Sequence, residues 1–181
     1  VLMPRMLSGH LQGRVLSMFS KMIQPKVILE IGTYTGYSAI CLSEGLHKNG
    51  RIHTIDSNEE LTPISSKYFE KAGITSKTKQ HIGNAVDIIP KIDEKFDLIF
   101  IDADKENYCK YFDLVIENLN IGGYIIADNV LWSGKVVADI HPKDTETKGI
   151  VNFNRKIHDN DRIENLLLPI RDGLMICRKI K

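Results

Sequence analysis

The sequence predicts an α/β fold around a mostly parallel sheet that ends in one antiparallel pair of strands. Short β-branched apolar runs alternate with amphipathic stretches of helical spacing, which is the rhythm of successive βαβ units. The last two runs, residues 163–168 and 173–180, are joined only by Pro169-Ile170-Arg171-Asp172. Such a short connection can join only antiparallel strands, so one edge of the sheet is expected to be antiparallel. The five runs that precede this pair are residues 27–30, 51–55, 78–82, 96–101 and 123–127.

The elements follow in order along the chain. Residues 15–19 have the spacing of an amphipathic helix ahead of the first strand, and Met18 and Phe19 are expected to face the core. The stretches between the five parallel runs are expected to hold the crossover helices that parallel strands require. Gly122 and Gly123 are expected to end the segment before the fifth strand, because glycine readily adopts the conformation in which helices terminate.

Length and composition predict one globular domain over residues 1–181, since 43% of the residues are hydrophobic and 26% are charged. The chain begins with Val1 and not with methionine, which leaves room for further residues upstream. A formal charge of +1 gives no strong footprint for nucleic acid or for a membrane surface. No apolar run approaches the roughly 20 residues of a membrane-spanning helix, so no membrane association is expected.

The cysteines argue against a disulfide framework and against a zinc site. Cys41, Cys109 and Cys177 are odd in number, lie far apart and have no C-x-x-C spacing. A reducing, cytoplasmic location is therefore expected. None of the six histidines belongs to a ligand-like pair, and the sequence has neither a G-x-S-x-G nucleophile elbow nor a G-x-x-x-x-G-K-[ST] phosphate loop.

A cofactor loop is expected after the first strand, where Gly32-Thr33-Tyr34-Thr35-Gly36 follows Glu30. Tyr34 replaces the middle glycine of the dinucleotide pattern, so this wider turn suits a nucleoside without phosphates. Glu30 can pair with an ammonium group, and Asp56 can accept hydrogen bonds from both ribose hydroxyls. S-adenosylmethionine meets both conditions. From these residues alone, the alternative that Asp56 only caps a helix and that Glu30 is an ordinary strand-end acid stays open.

A hard-metal site is expected where Asp102, Asp128 and Asn129 follow two strands. Their oxygen ligands select Mg²⁺ first, with Ca²⁺ or Mn²⁺ as alternatives. Three protein ligands leave about half of an octahedral shell for two adjacent hydroxyls of an acceptor. Lys105, one turn after Asp102, is the candidate base. In isolation the Asp-x-x-Lys spacing favours a helix cap with a solvated lysine, but Asp128 and Asn129 reverse that preference.

Two aromatic residues follow these groups in the sequence. Trp132 is predicted to form a wall for a planar acceptor, with ordinary packing as the alternative. Tyr108 is predicted to be a core residue.

These residues resemble one known family, the cation-dependent, S-adenosylmethionine-dependent O-methyltransferases, which include catechol and caffeoyl-CoA O-methyltransferases and many bacterial members. The resemblance covers nearly the whole chain. Its motifs lie in residues 6–13, 29–38, 102–108 and 128–134.

The resemblance implies a Rossmann-like class I methyltransferase fold, with a seven-stranded, mostly parallel sheet, an antiparallel last strand and helices on both faces. It also implies a homodimer. By position it implies metal ligation by Asp102, Asp128 and Asn129, and catalysis by Lys105 with Asp102. The cofactor-binding residues that it implies are Met6, Ser8, Glu30, Gly32, Tyr34, Ser38, Asp56, Ala85, Asp102 and Asp104.

The acceptor is expected to be a small phenolic molecule of catechol-like or caffeoyl type. Catechol enzymes of animal type carry a glutamate after Asp-Gly-Leu, whereas Met175 follows Asp172-Gly173-Leu174 here, and Trp132-Ser133-Gly134 looks closer to the caffeoyl-CoA and bacterial members. An alternative acceptor is a hydroxylated uridine in tRNA. It would need a local basic surface, for which Lys67, Lys71, Lys77 and Lys79 are candidates, although an ordinary solvated surface explains them as well.

Two further functions are disfavoured. A non-catalytic cofactor-binding module would not need both metal segments together with Lys105. Nicotinamide-dependent oxidoreduction would need the pyrophosphate loop that the sequence lacks.

Overall fold

One sheet of seven strands organises the structure, a computed structural model that describes residues 6–181. The strands are β1 Val27–Ile31, β2 Arg51–Asp56, β3 Thr78–Ile82, β4 Phe96–Ile101, β5 Leu119–Asp128, β6 Ile163–Leu168 and β7 Leu174–Lys179. The α-helices are α1 Gly9–Ile23, α2 Tyr37–Ser43, α3 Thr62–Lys71, α4 Ala85–Ile88, α5 Tyr108–Ile116 and α6 Thr145–His158. Short 3₁₀ turns lie at Glu59–Leu61, Thr75–Lys77, Ile89–Lys91, Lys105–Asn107 and Trp132–Val137.

The strand order is β3-β2-β1-β4-β5-β7-β6. Strands β1 to β5 pair in parallel, and the winding reverses between β1 and β4, which are neighbours in the sheet. Strand β7 lies between β5 and β6 and is antiparallel to both. The predicted antiparallel hairpin at one edge and the antiparallel last strand are therefore confirmed, and β6 forms that edge.

Each predicted strand is present, but β5 begins earlier than the sequence suggested. Gly122 and Gly123 lie inside β5, so the prediction that they precede the strand was wrong. The pairing of β4 with β5 shifts register between Phe96 and Leu98, and Gly122 has a φ of 81° at this irregularity. The glycines thus serve a bulge within the strand, where an unpaired residue has to adopt an unusual backbone conformation.

Helices cover both faces of the sheet, as predicted. Helices α4, α5 and α6 pack on one face, where residues such as Phe112 and Phe153 are fully buried, and α1 and α2 pack on the other. Met18 of α1 is 60% exposed, so its predicted core position was wrong, whereas Phe19 packs partly buried against the core. The residues of α1 that are buried instead are Gln12, Gly13, Leu16, Ser17 and Ser20.

Small residues are buried on α1 because the following segment approaches its backbone closely. A Cβ atom on Gly45 would lie 2.0 Å from the carbonyl carbon of Ser20, and one on Gly13 would lie 2.7 Å from the ring of Tyr37. No room remains there for a large apolar side chain. Within residues 6–181, no helix is long and apolar enough to cross a membrane, and all three cysteines are free.

Candidate functional site

A cleft of about 1060 Å³ opens at the carboxyl ends of β1, β2, β4 and β5. It lies where the winding of the sheet reverses, the usual ligand position in open α/β sheets. Every residue that the sequence assigned to the site lines this cleft except Glu30, which is fully buried. The lining residues with an assigned role are Met6, Ser8, Gly32, Tyr34, Ser38, Asp56, Ala85, Asp102, Asp104, Lys105, Asp128, Asn129 and Trp132.

The predicted cofactor loop and the predicted metal segment touch through their backbones. Gly32 has a φ of 104°, and a Cβ atom there would lie 1.9 Å from the carbonyl oxygen of Asp102. The amide of Asp102 also donates a hydrogen bond of 2.9 Å to the carbonyl of Ile31. Only glycine fits this contact. The loops after β1 and β4 are therefore held side by side.

Glu30 is a buried carboxylate with spare acceptor capacity. Thr54 donates a hydrogen bond to its Oε2, whereas Oε1 accepts none from residues 6–181. Burial raises the pKa of Glu30 to about 7, although Ser38 and Thr54 favour the ionised form. A cationic or hydrogen-bond-donating ligand group would satisfy this carboxylate, as expected for a residue that receives an ammonium group.

Changing Glu30 to Gln is expected to weaken cofactor binding while stabilising the ligand-free protein at pH 8. The folded-state pKa is raised from 4.5 to about 7. The unfolded chain therefore loses the proton first, and the stability of the folded chain falls as the pH rises from about 4.5 to 7. This loss is on the order of 3 kcal/mol, at 1.36 kcal/mol per pKa unit, and the variant should lack it. Chemical denaturation at pH 5 and pH 8, with calorimetric titration of S-adenosylmethionine, measures both effects.

Glu44→Gln is the control for this prediction. Arg14, Lys21 and Ser17 hold the pKa of Glu44 at about 2, so this variant should lose stability at neutral pH and keep cofactor affinity. Unchanged cofactor affinity in Glu30→Gln would contradict the assigned role of Glu30.

Asp56 is fixed at the end of β2 by two backbone donors. The amide of Tyr34 donates to Oδ2 at 2.7 Å and that of Asn58 donates to Oδ1 at 2.9 Å. Asn58, not Asp56, caps the following 3₁₀ turn, since its side chain accepts from the amide of Glu60. The capping alternative for Asp56 is thus removed. Each carboxylate oxygen keeps a further lone pair for a diol.

Asp102 and Asp128 lie at the carboxyl ends of neighbouring strands, and the charge of Asp102 makes the ionised form of Asp128 less favourable. Asp128 is 4% exposed, and burial together with the charge of Asp102 raises its pKa. No group of three or more His, Cys, Asp or Glu side chains is arranged to hold a metal within the described part of the chain. The predicted ligand set therefore depends on the amide oxygen of Asn129. This ligand set contains only oxygen donors, and two of them belong to neighbouring carboxylates whose negative charges repel each other. Both properties fit a hard divalent cation.

Lys105 is buried beside this acidic pair. It is 6% exposed, and its Nζ donates to Asp102 Oδ1 at 3.1 Å and to the Tyr108 hydroxyl at 2.8 Å. Its ammonium lies 5.7 Å from the centroid of Trp132, which places the tryptophan ring at the same site. The alternative of a solvated lysine is excluded. Tyr108 is fully buried, as predicted, but its hydroxyl also donates to the carbonyl of Asp128 at 3.0 Å.

The segment that carries Asn129 and Trp132 has a strained backbone. Asn129, Trp132 and Ser133 have φ values of 62°, 46° and 54°. Asp172 of the β6–β7 loop holds this segment, since its carboxylate accepts from the amide of Ser133 at 2.6 Å and its carbonyl accepts from that of Leu131 at 2.9 Å. Positive φ values at such residues persist only where the surroundings enforce them, and they cluster at functional sites.

Sequence reasoning missed several residues that organise the cleft. Arg171 donates to the carbonyls of Leu7 and Ser8 and so ties the segment after Met6 to the β6–β7 loop. The hydroxyl of Tyr111 donates to Asp104. Gln12 donates to Asp128. A glutamine on the inner face of an amphipathic helix was a usable signal for Gln12, but no local pattern marks Arg171.

Comparison with known proteins identifies the chain. The model of a family described as O-methyltransferase matches residues 1–180. The chain belongs to the O-methyltransferase family. This O-methyltransferase is 37% identical over 183 residues to caffeoyl-CoA O-methyltransferase 1 of Arabidopsis thaliana, an alignment that covers 93% of this chain and 70% of that one. It is 36% identical to caffeoyl-CoA O-methyltransferase of Medicago sativa, with 94% and 73% covered.

Solved structures agree with the sequence relatives. The O-methyltransferase TomG of Streptomyces achromogenes, in complex with S-adenosylmethionine, has a TM-score of 0.92 and 27% identity, with 98% of this chain and 83% of that one covered. An O-methyltransferase of Bacillus cereus in complex with S-adenosylhomocysteine has a TM-score of 0.92 and 30% identity, with 98% and 84% covered. The O-methyltransferase described here therefore has the Rossmann-like methyltransferase fold and uses S-adenosylmethionine.

Proposed function

We propose that this O-methyltransferase methylates one hydroxyl of a catechol-like or caffeoyl-type phenolic molecule, with a divalent cation held by Asp102, Asp128 and Asn129. Mg²⁺ is the first choice, and Ca²⁺ or Mn²⁺ are alternatives. The observation that carries this proposal is that the buried Asp128 and Lys105 and the half-buried Asp102 lie in the same cleft as the cofactor loop. A homodimer is proposed as well, and light scattering of the purified protein tests it.

The proposed oxygen ligands fit a cation, because a buried carboxylate beside a second one is unfavourable unless a positive charge balances it. Asp128 is almost completely buried, and the charge of Asp102 makes its ionised form less favourable. A bound divalent cation would supply positive charge that lowers the pKa of an acceptor hydroxyl and fixes its oxygen.

Individual residues of the cleft would then have separate roles in methyl transfer. Lys105, in its neutral form and oriented by Tyr108, takes the proton of the acceptor hydroxyl. The acceptor oxygen forms a bond to the methyl carbon as the carbon–sulfur bond breaks. The electron pair of the broken bond stays on the sulfur, which gives S-adenosylhomocysteine. Orientation of the two reactants in the cleft can contribute roughly 7–11 kcal/mol to lowering the barrier. Trp132 offers a face for a planar acceptor.

Two observations support a phenolic acceptor with a tail over simple catechol. The curated relatives at 36–37% identity are caffeoyl-CoA O-methyltransferases. Met175, at the position of the animal catechol enzymes' glutamate, is 5% exposed and packs in the core, so it offers no carboxylate to a second hydroxyl.

The tRNA alternative keeps the same site and replaces the acceptor. Lys67 and Lys71 lie exposed on α3, Lys79 lies exposed on β3, and Lys77 is half-buried between them in the chain. No contact among these lysines favours a shared basic surface over an ordinary solvated one.

The deciding assay is transfer of a labelled methyl group from S-adenosylmethionine to caffeoyl-CoA, to a simple catechol, and to hydroxylated or unmodified tRNA. Each reaction is run with Mg²⁺, Mn²⁺ or Ca²⁺ and with excess EDTA. Mg²⁺-dependent labelling of caffeoyl-CoA is the expected result. Labelling of hydroxylated tRNA alone would replace the acceptor, and full activity in EDTA would refute the metal site.

A further inference from the structure

Gln12 is a buried polar residue whose position on α1 calls for an explanation. Its side chain is fully buried, and its Nε2 lies 2.6 Å from Oδ2 of Asp128, 116 residues away in the sequence. Burying an amide costs free energy unless its polar atoms find partners. An apolar side chain at this position would pack without that cost, so the amide serves Asp128.

The bond to Gln12 completes the restraint of the Asp128 carboxylate. Oδ1 accepts a hydrogen bond of 2.7 Å from the amide of Asn129, and Oδ2 accepts the one from Gln12. With one donor on each oxygen, the carboxylate plane cannot rotate without losing a hydrogen bond. Each oxygen still has a free lone pair for another ligand.

The groups that donate hydrogen bonds to the two carboxylates differ in charge. Asp102 faces the ammonium of Lys105 at 3.1 Å, whereas Asp128 faces an uncharged amide. A hydrogen bond favours the ionised carboxylate, and unlike a second ammonium it adds no positive charge that would repel a cation. Gln12 thus orients Asp128 without adding a charge that would compete with a metal.

The carbonyl oxygen of Gln12 has no partner within the described part of the chain. Oε1 is buried and accepts no hydrogen bond from residues 6–181. Buried acceptors are nearly always paired, so an unpaired one needs a donor that the polypeptide does not supply. A buried water molecule has the right chemistry.

We propose that Gln12 is a positioning residue for the methyl-transfer site: its amide holds Asp128 in the orientation that a divalent cation needs. This inference rests on the proposed metal role of Asp128. Outer groups that orient metal ligands typically change metal affinity by roughly 10- to 100-fold when they are removed.

The test is direct titration of the purified protein with Mn²⁺, followed by electron paramagnetic resonance of the free ion. Gln12→Met keeps the length and volume of the side chain and removes both polar atoms. Gln12→Asn keeps an amide that is one methylene too short to make the bond. Both variants are expected to bind Mn²⁺ roughly 10- to 100-fold more weakly, with unchanged affinity for S-adenosylmethionine.

Ser17→Ala is the matched control, because Ser17 is also buried on α1 but its hydroxyl donates to Glu44 away from the cleft. Its Mn²⁺ affinity should equal that of the unmodified protein.

In steady-state assays the Gln12 variants should need more Mg²⁺ for half-maximal rate, which a purely structural defect would not produce. Unchanged Mn²⁺ affinity in Gln12→Met would overturn the inference about Gln12. Failure of the unmodified protein to bind Mn²⁺ would instead overturn the proposed metal site, and the inference with it.

Discussion

Changing Asp102 to Ala is expected to abolish methyl transfer at Mg²⁺ concentrations that saturate the unmodified enzyme. The change removes one of the three proposed metal ligands and the carboxylate that faces Lys105 at 3.1 Å. A bound metal contributes several kcal/mol of transition-state stabilisation, which corresponds to a fall of about 10³-fold in rate. Initial rates over a Mg²⁺ titration, at saturating S-adenosylmethionine, measure this loss.

Two companion variants make the Asp102 result specific. Asp102→Asn keeps one oxygen donor without the charge and should fall between the alanine variant and the unmodified enzyme. Asp113→Ala removes an exposed aspartate of α5 that pairs with Lys156, outside the cleft, and should leave the rate unchanged. Full activity of Asp102→Ala in excess EDTA would rule out the proposed metal dependence.

Changing Lys105 to Met is expected to lower kcat by roughly 10²–10⁴-fold, the usual contribution of a positioned general base. The same change should strengthen Mn²⁺ binding, because it removes an ammonium that competes with the metal for Asp102. Opposite effects on turnover and metal affinity distinguish a base from a residue that only holds Asp102 in place. Single-turnover rates and Mn²⁺ titration provide the two readings.

Lys105→Arg and Lys135→Met are the controls for this pair of effects. Arginine keeps the positive charge but cannot act as a base, so turnover should fall without any gain in Mn²⁺ affinity. Lys135 also lies over Trp132, at 5.9 Å, but its side chain is 55% exposed, and its loss should have little effect. Weaker Mn²⁺ binding in Lys105→Met would show that the lysine serves only to orient Asp102.

The strands and most of the cleft could be predicted because the main acidic residues lie near the carboxyl ends of strands. Glu30, Asp56, Asp102 and Asp128 lie at or just after the ends of β1, β2, β4 and β5. Parallel strands bring such ends to one edge of a sheet, so sequence position alone predicted their convergence. The family resemblance added Met6, Ser8 and Ala85, which are found in the same cleft lining.

What could not be predicted depends on contacts between distant segments. The bonds from Arg171 to Ser8 and from Ser133 to Asp172 join loops whose local sequences carry no sign of each other. Met18 was misplaced because residue spacing reveals a helical face but not how closely another backbone approaches it. The close approach of Gly45 to Ser20 makes α1 bury small residues there.

The position of β7 has a consequence for biosynthesis. This strand is made after β6 but pairs between β5 and β6. The loop before it supplies Arg171 to the cleft and Asp172 to the segment that carries Ser133. While a ribosome is still making residues 174–179, the β5 edge of the nascent sheet has no partner, and unpaired strand edges are prone to wrong association. The newly made enzyme thus acquires a complete cofactor cleft only when this hairpin closes.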